Sequence, residues 1–312
     1  MSKKIDFAVG GQAVIEGVMM RSPNYTVISV RSEKGEILET TEYYQNLSKK
    51  IKFLGLPIIR GVINLFEMMF IGTKALNWAA SKSMATEDEI PADKKQKEEK
   101  GQGILALVFS IVFALGMSIF LFKFLPLWCT DFLSKKIDLL NQNYLAYNFV
   151  DGVLKTSFFI LYIYILGRLP DVHRVFQYHG AEHKSIMTYE NNLPLTVENA
   201  RNQTRFHPRC GTSFILVVFL LSIFIYTFVP RNPDFLTNFG LRVLFLPIVA
   251  GISYEMLKWS AKHHESKIVQ LLIKPGLMFQ RLTTQEPDDQ MLEVALNSLK
   301  LSLELEEKHI VA

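Results

Sequence analysis

Four side chains in one stretch of this chain could hold a soft divalent metal: His179, His183, His207 and Cys210. They lie between Pro170 and Phe214, flanked by two apolar segments long enough to cross a membrane. Two histidines four apart on a helix point the same way from successive turns, so they offer two imidazole nitrogens to one ion. The run His207-Pro208-Arg209-Cys210-Gly211 adds an imidazole and a thiol in a frame suited to a tight turn. Together the four make a closed nitrogen-and-sulfur set, the mixture zinc prefers. A catalytic reading competes with this structural one. His179 to His183 run in the inverted zincin order His-x-x-Glu-His, where two histidines bind zinc and the glutamate, here Glu182, activates water. That reading leaves one coordination position open and takes a third ligand from Glu255, Glu190, Cys210 or His207. Five-residue patterns also arise by chance, so the pattern needs its structural context.

The element that must position these groups is a helix starting near Pro170. Its apolar stripe is Val172, Val175, Phe176, Ile186 and Met187, and His179 and His183 fall about 20° either side of the stripe's centre. Glu182 then sits about 100° around from His183, beside a bound ion but not on it. His173 lies off the stripe and is at most a supporting partner.

The composition points to a membrane protein. Of 312 residues, 49% are hydrophobic and 23 are Phe, with mean hydropathy +0.17. A net charge of +4 and the absence of any recognition motif argue against sequence-specific nucleic-acid binding. Two cysteines, Cys129 and Cys210, are no disulfide framework. The apolar run after Lys3 and Lys4 is interrupted by Gly10, Gly11, Gln12 and Glu16, which is not the pattern of a cleavable signal.

In chain order, residues 1–48 read as a small β region with strands at 14–21, 25–31 and 36–43. Residues 49–82 hold an amphipathic interfacial helix whose polar face, Arg60, Asn64, Glu67 and Lys74, suggests that Arg60 and Glu67 compensate each other. A charged linker follows at 83–102. The segment 103–257 reads as four spans, Ile104–Phe122, Tyr144–Leu166, Ser213–Val229 and Leu241–Leu257, enclosing the His/Cys loop 168–212. Asp151 and Lys155 are spaced to pair within the second span. Glu255 in the fourth is a functional candidate because ionisable groups within spans are costly. Residues 258–312 form cytoplasmic amphipathic helices, the last at 290–306. Fifteen Lys and Arg flank one side of the spans against three on the other, which predicts both termini and the His/Cys loop in the cytoplasm, with Cys210 a reduced thiol. The expected fold is thus an α-helical polytopic membrane protein of about four spans with a small N-terminal β region and cytoplasmic amphipathic helices. The basic residues of the loop, Arg168, Arg174, Lys184, Arg201, Arg205 and Arg209, could meet anionic headgroups or simply mark the cytoplasmic side.

Several stretches resemble the YqhQ-like bacterial membrane proteins, a family of unknown function labelled as predicted metal-dependent enzymes. They are Gly10 to Arg21, Arg60-Gly61, Tyr178 to Lys184, Leu195 to Arg201, His207 to Phe214, Ser253 to Glu255 and Gln280 to Asp289. The resemblance implies a site at His179, Glu182, His183, His207 and Cys210. It also picks out Glu16, as an extra ligand or base or as a tie to Arg60, and Arg21. The leading expectation is a zinc-dependent (or other divalent-metal) hydrolase at the cytoplasmic face, with Glu182 as general base and a lipid-linked or peptide substrate. The rival is a non-enzymatic accessory or scaffold protein, docking a membrane-embedded or cytoplasmic partner such as the insertion or ribosomal machinery, with a structural metal. Transport through Asp151, Lys155 and Glu255 is a third possibility.

Overall fold

The computed structural model describes residues 9–83, 109, 112–229, 232, 234–263 and 266–311. The expected charged linker, from residue 84 onward, lies outside the described residues, as does most of the expected span between 104 and 111. Four antiparallel strands, β1 (Gly10–Val14), β2 (Gly17–Arg21), β3 (Tyr25–Arg31) and β4 (Ile37–Tyr43), form a meander in the order β1-β2-β3-β4. Apart from short helical pieces at Leu47–Lys50, Lys52–Gly55 and Asp138–Gln142, the helices among the described residues are α1 (Ile59–Ser83), α2 (Val112–Ser134), α3 (Tyr144–Leu166), α4 (Pro170–Glu190), α5 (Val197–Arg201), α6 (Gly211–Thr227), α7 (Phe235–Leu244), α8 (Leu246–Lys262), α9 (Lys267–Thr283) and α10 (Asp289–Val311). The chain divides into two compact units: residues 1–85, 163–216 and 250–312, and residues 86–162 and 217–249.

In the first unit the sheet is covered on both faces. Val18 and Met20 join Tyr178, Ala181 and Ile186 of α4 and Met291, Leu292, Ala295 and Leu299 of α10. Met19 points the other way, with Val14, Ile28 and Val30, onto Ile71, Ala75 and Ala79 of α1. Successive side chains on a strand alternate faces, so two apolar layers turn the run Val18-Met19-Met20 into a strand apolar throughout. Full burial of each such side chain contributes roughly 1.5–3 kcal/mol. The single strand expected at 14–21 is two strands instead. Ile15 and Glu16 make the hairpin turn between them, with Val14 paired to Gly17. Glu16 has φ 53°, and its carbonyl accepts from Arg31 N at 2.8 Å.

The α10 helix starts where the Asp288 carboxylate accepts from Met291 N at 2.8 Å. Near its end the buried Glu306 carboxylate accepts from Ser22 Oγ at 2.8 Å and Asn24 N at 3.1 Å, so the last helix is fastened to the β2–β3 turn. The expected Arg60–Glu67 compensation on α1 is not formed. Glu67 accepts from Tyr44 Oη and Leu47 N, both at 2.6 Å, whereas Arg60 pairs with Glu255 of α8. Each group found a closer partner off its own helix.

Three helices are long and apolar enough to cross a membrane: Val112–Ser134, Tyr144–Leu166 and Phe235–Ser260, the last joining α7 to α8. The expected third span, Ser213–Val229, corresponds to the shorter apolar helix Ile215–Thr227 within α6. The first described span continues twelve residues beyond Phe122. A π-helical turn at Phe120–Phe124 precedes Pro126, and Lys123 Nζ donates to the Tyr226 hydroxyl at 3.3 Å. Asp151 and Lys155 pair at 3.1 Å as their spacing implied.

Candidate metal centre

Helix α4 begins with Pro170 in its first turn and Asp171 at its positive end, and it runs unbroken to Glu190. From Tyr178 to Ile186 nearly every residue is buried, because the sheet, α10 and the segments 205–210 and 283–286 surround it. Gly180 makes this possible. The Gln285 carbonyl passes where a Gly180 side chain would stand, and Gln285 N donates to Phe176 O at 2.8 Å.

One ligating atom from each of His179, His183 and Cys210 lies within 4.8 Å of the other two. The two imidazoles are 4.4 Å apart, centre to centre. His179 Nδ1 donates to the Thr283 carbonyl at 2.8 Å, and His183 Nδ1 donates to the Arg205 carbonyl at 2.5 Å. A carbonyl only accepts, so each ring carries its proton on Nδ1 and presents a lone pair at Nε2. His179 Nε2 stands 3.2 Å from Cys210 Sγ. His183 Nε2 is buried and makes no hydrogen bond, a costly condition for a polar atom. The Cys210 sulfur accepts from Thr212 N at 3.4 Å, and Thr212 Oγ1 lies 2.9 Å away.

Glu182 is 4% exposed, with one carboxylate oxygen 3.5 Å from His183 Nε2. Burial raises its pKa, against the lowering effect of His179, His207 and a hydrogen bond from the Gly11 amide. Burial also holds His183 well below the ordinary imidazole value, assisted by His179 and opposed by the Arg205 carbonyl. His207 is lowered for the same principal reason, with Glu182 acting against it. Neutral imidazoles are the form that can ligate.

The other sequence candidates stand elsewhere. The His207 ring lies 5.6 Å from that of His183, but both its nitrogens are engaged: Nε2 with Glu190 at 3.2 Å, Nδ1 with the Arg209 amide at 3.3 Å. Its backbone is clamped by Gln280, which accepts from His207 N and donates to His207 O, both at 2.8 Å. Glu255 is held by Arg60. Glu16 is held by Arg174 through both guanidinium edges, with Tyr178 Oη at 3.4 Å, and not by Arg60. His173 is exposed. The basic residues of the loop have protein partners: Lys184 and Arg205 on Glu286, Arg201 on Asp289, Arg209 on Glu190, Arg174 on Glu16, and Arg168 on the Tyr164 hydroxyl.

Residues 56–305 match the family described as a protein of unknown function (DUF1385). The chain belongs to that family. It is also 39% identical to the "Uncharacterized protein YqhQ" of Bacillus subtilis (strain 168), over 98% of this chain and 96% of that protein. No solved structure matches. The DUF1385 span contains His179, His183, Cys210 and the residues that orient them. Sequence reasoning passed over the carbonyls of Arg205 and Thr283, the clamp at Gln280, and Thr212. Gln280 and Thr283, in the stretch Gln280 to Asp289, and Thr212, in His207 to Phe214, fall within stretches that carry the family resemblance. The carbonyl partners themselves have no side-chain signature.

Proposed function

We propose that His179, His183 and Cys210 bind a divalent metal, with zinc fitting best, and that the protein is a metal-dependent hydrolase of the bacterial inner membrane. The observation that carries this is the fixed tautomer of both imidazoles, with the His179 Nε2 lone pair facing the Cys210 sulfur and the buried His183 Nε2 making no hydrogen bond. Backbone carbonyls on the far ring nitrogen are the usual way a ligating histidine is aimed. A tetrahedral zinc with two nitrogens and a sulfur needs donor atoms about 3.3–3.6 Å apart, so a spread within 4.8 Å closes with small side-chain movements.

Bound there, the metal would supply Lewis acidity and lower the pKa of a water. Three protein donors favour an open fourth position, and His207 and Glu190 occupy each other rather than closing it. Glu182 is suited to take the proton from that water: it is buried, adjacent to His183, and its raised pKa brings it toward the range of a general base. The Gly11 amide holds its carboxylate in place. A lipid-linked or peptide substrate fits the apolar helices that flank the site in sequence. In this reading α6 is a fourth span, the termini and site are cytoplasmic, and membrane lipid is the surrounding partner.

The burial of His183 and Cys210 favours a second reading, a docking protein with the metal as structural staple. Metal analysis of purified protein tests both together. Wild type should carry about one metal per chain and Glu182→Gln should keep it. In a strain from which the gene is deleted, failure of Glu182→Gln to restore what the wild-type protein restores supports the enzyme, and full restoration supports the docking protein. A metal-free wild type, grown and purified with zinc present, ends both.

A further inference from the structure

Helix α9 presents a face that no described residue covers. Ile268 and Leu271 are each 69% exposed, Met278 is 59% and Leu272 42% exposed, and Pro275 is exposed among them. At 100° per residue these five fall within about 120° of the helix surface. Lys267, Lys274 and Arg281 recur at intervals of seven, so they form a row about 40° wide beside the apolar stripe. All three are exposed, and among the described residues none of them is ion-paired. The basic residues of the His/Cys loop, by contrast, have protein partners. The remaining side of α9, with Val269, Gly276, Phe279, Gln280 and Thr283, is buried.

Single exposed apolar side chains are ordinary on a surface that meets water, but a continuous stripe of five is not. A stripe bordered by cations is the pattern of a helix lying in a bilayer surface. Its apolar side chains enter the acyl boundary while Lys and Arg reach the phosphates. The path of the chain favours a bilayer over a protein partner. Only residues 261–266 separate α9 from the end of the span Phe235–Ser260, so the helix begins where that span leaves the membrane. Trp259, 48% exposed near that end, is of the residue type enriched at bilayer surfaces.

We infer that α9 lies in the surface of an anionic bilayer, with Ile268, Leu271, Leu272 and Met278 among the acyl chains and Lys267, Lys274 and Arg281 on lipid phosphates. The buried side of the same helix carries Gln280, which clamps the His207 backbone, and Thr283, whose carbonyl accepts from His179. The His179–Cys210 cluster therefore stands about one helix diameter, on the order of 10 Å, from the headgroups. A substrate that reached it would come from the membrane surface. The lipid contact rests on the reading of Phe235–Ser260 as a span and not on the metal.

The test uses full-length protein in nanodiscs of equimolar dioleoylphosphatidylcholine and dioleoylphosphatidylglycerol. The photoreactive residue p-benzoylphenylalanine stands in place of Leu271, of Met278 or, as a control on α10, of the exposed Glu307. After irradiation, adducts are read by intact-protein mass. The Leu271 and Met278 positions should capture lipid and the Glu307 position should not. With the cations in place, phosphatidylglycerol should be captured about fivefold more than phosphatidylcholine, the scale of one surface cation, or more strongly still. Combining Lys267→Gln, Lys274→Gln and Arg281→Gln should bring the two lipids close to equal capture. Absence of lipid adducts at Leu271 and Met278 overturns the inference, as does capture of a second protein chain in their place. Equal capture of the two lipids with the cations present, or lipid capture at Glu307 equal to that on α9, overturns it too. None of these readouts involves a metal, so failure of the metal reading would leave them unchanged.

Discussion

Gly11 of β1 lies so close to Glu182 of α4 that a methyl group on the glycine would meet the Glu182 Cγ at 2.7 Å and the Met19 carbonyl at 2.8 Å. The strand thereby approaches near enough for its amide to hold the carboxylate. Replacing Gly11 by Ala should displace Glu182, since the Met19 backbone leaves the methyl no alternative direction. The expected cost is about 1–3 kcal/mol of stability from overpacking. If Glu182 is the base of the proposed reaction, Gly11→Ala should also reproduce the functional loss of Glu182→Gln while keeping metal. Unfolding curves beside metal content check this, and a fully active, equally stable Gly11→Ala protein would refute it.

Gly180 gives a cleaner decision between opposing effects. Alanine at an internal helix position is favoured over glycine by about 1 kcal/mol through backbone entropy. Here the added Cβ would overlap the Gln285 carbonyl, and a carbonyl tied by the Gln285 N to Phe176 O hydrogen bond cannot swing aside. Separating the 283–288 segment from α4 also withdraws the Thr283 carbonyl from His179 Nδ1. Gly180→Ala is therefore expected to lower stability by about 2 kcal/mol or more and to weaken metal binding with it. A melting temperature at or above wild type would show that helix propensity wins.

At the β1–β2 turn, Glu16 combines strain with an ion pair. A non-glycine residue at φ 53° costs roughly 1 kcal/mol. The Arg174 side chain is 48% exposed, so its pairing with Glu16 is screened and contributes about 0–1 kcal/mol. Glu16→Gly should be close to neutral in stability, since relief of strain offsets the lost pair, whereas Glu16→Ala should lose about 1 kcal/mol. Denaturant midpoints for the two variants measure the difference directly. Equal destabilisation of both would place the energy in the carboxylate and not in the turn.

How far the sequence disclosed these relationships varied with the physics of each. The histidine pair was readable because i and i+4 on a helix must share a face. The span Tyr144–Leu166 was readable because a long apolar run has few other uses, and the two charges within it, Asp151 and Lys155, pair locally at i and i+4. Glu16 was visible as a residue of interest but not as a turn, because Glu16-Gly17 is a short interruption inside an otherwise apolar run from Val14 to Met20 and lacks the Asn-Gly or Asp-Gly signature of a two-residue hairpin. The partners of Arg60 and Glu67 were misjudged because an in-helix spacing rule competes poorly with a bidentate carboxylate brought from residue 255. Burial of α10 against the sheet, roughly 280 residues from its partners Ser22 and Asn24, leaves only an amphipathic pattern that fits an exposed tail equally well.

His207 separates the expected four-ligand set from the three-ligand set the geometry supports. If the metal is held by His179, His183 and Cys210, then His179→Ala and Cys210→Ser should each lose most of it, lowering affinity by about 10²-fold or more for one lost ligand. His207→Ala should retain metal near wild-type stoichiometry, because its two nitrogens serve Glu190 and the Arg209 amide. Its cost should appear instead as stability, through the turn that presents Cys210 and the Gln280 clamp on its backbone. Metal content measured on folded, size-selected protein distinguishes these effects. Loss of metal in His207→Ala equal to that in Cys210→Ser would restore the closed four-ligand site and, with it, the structural reading of the metal.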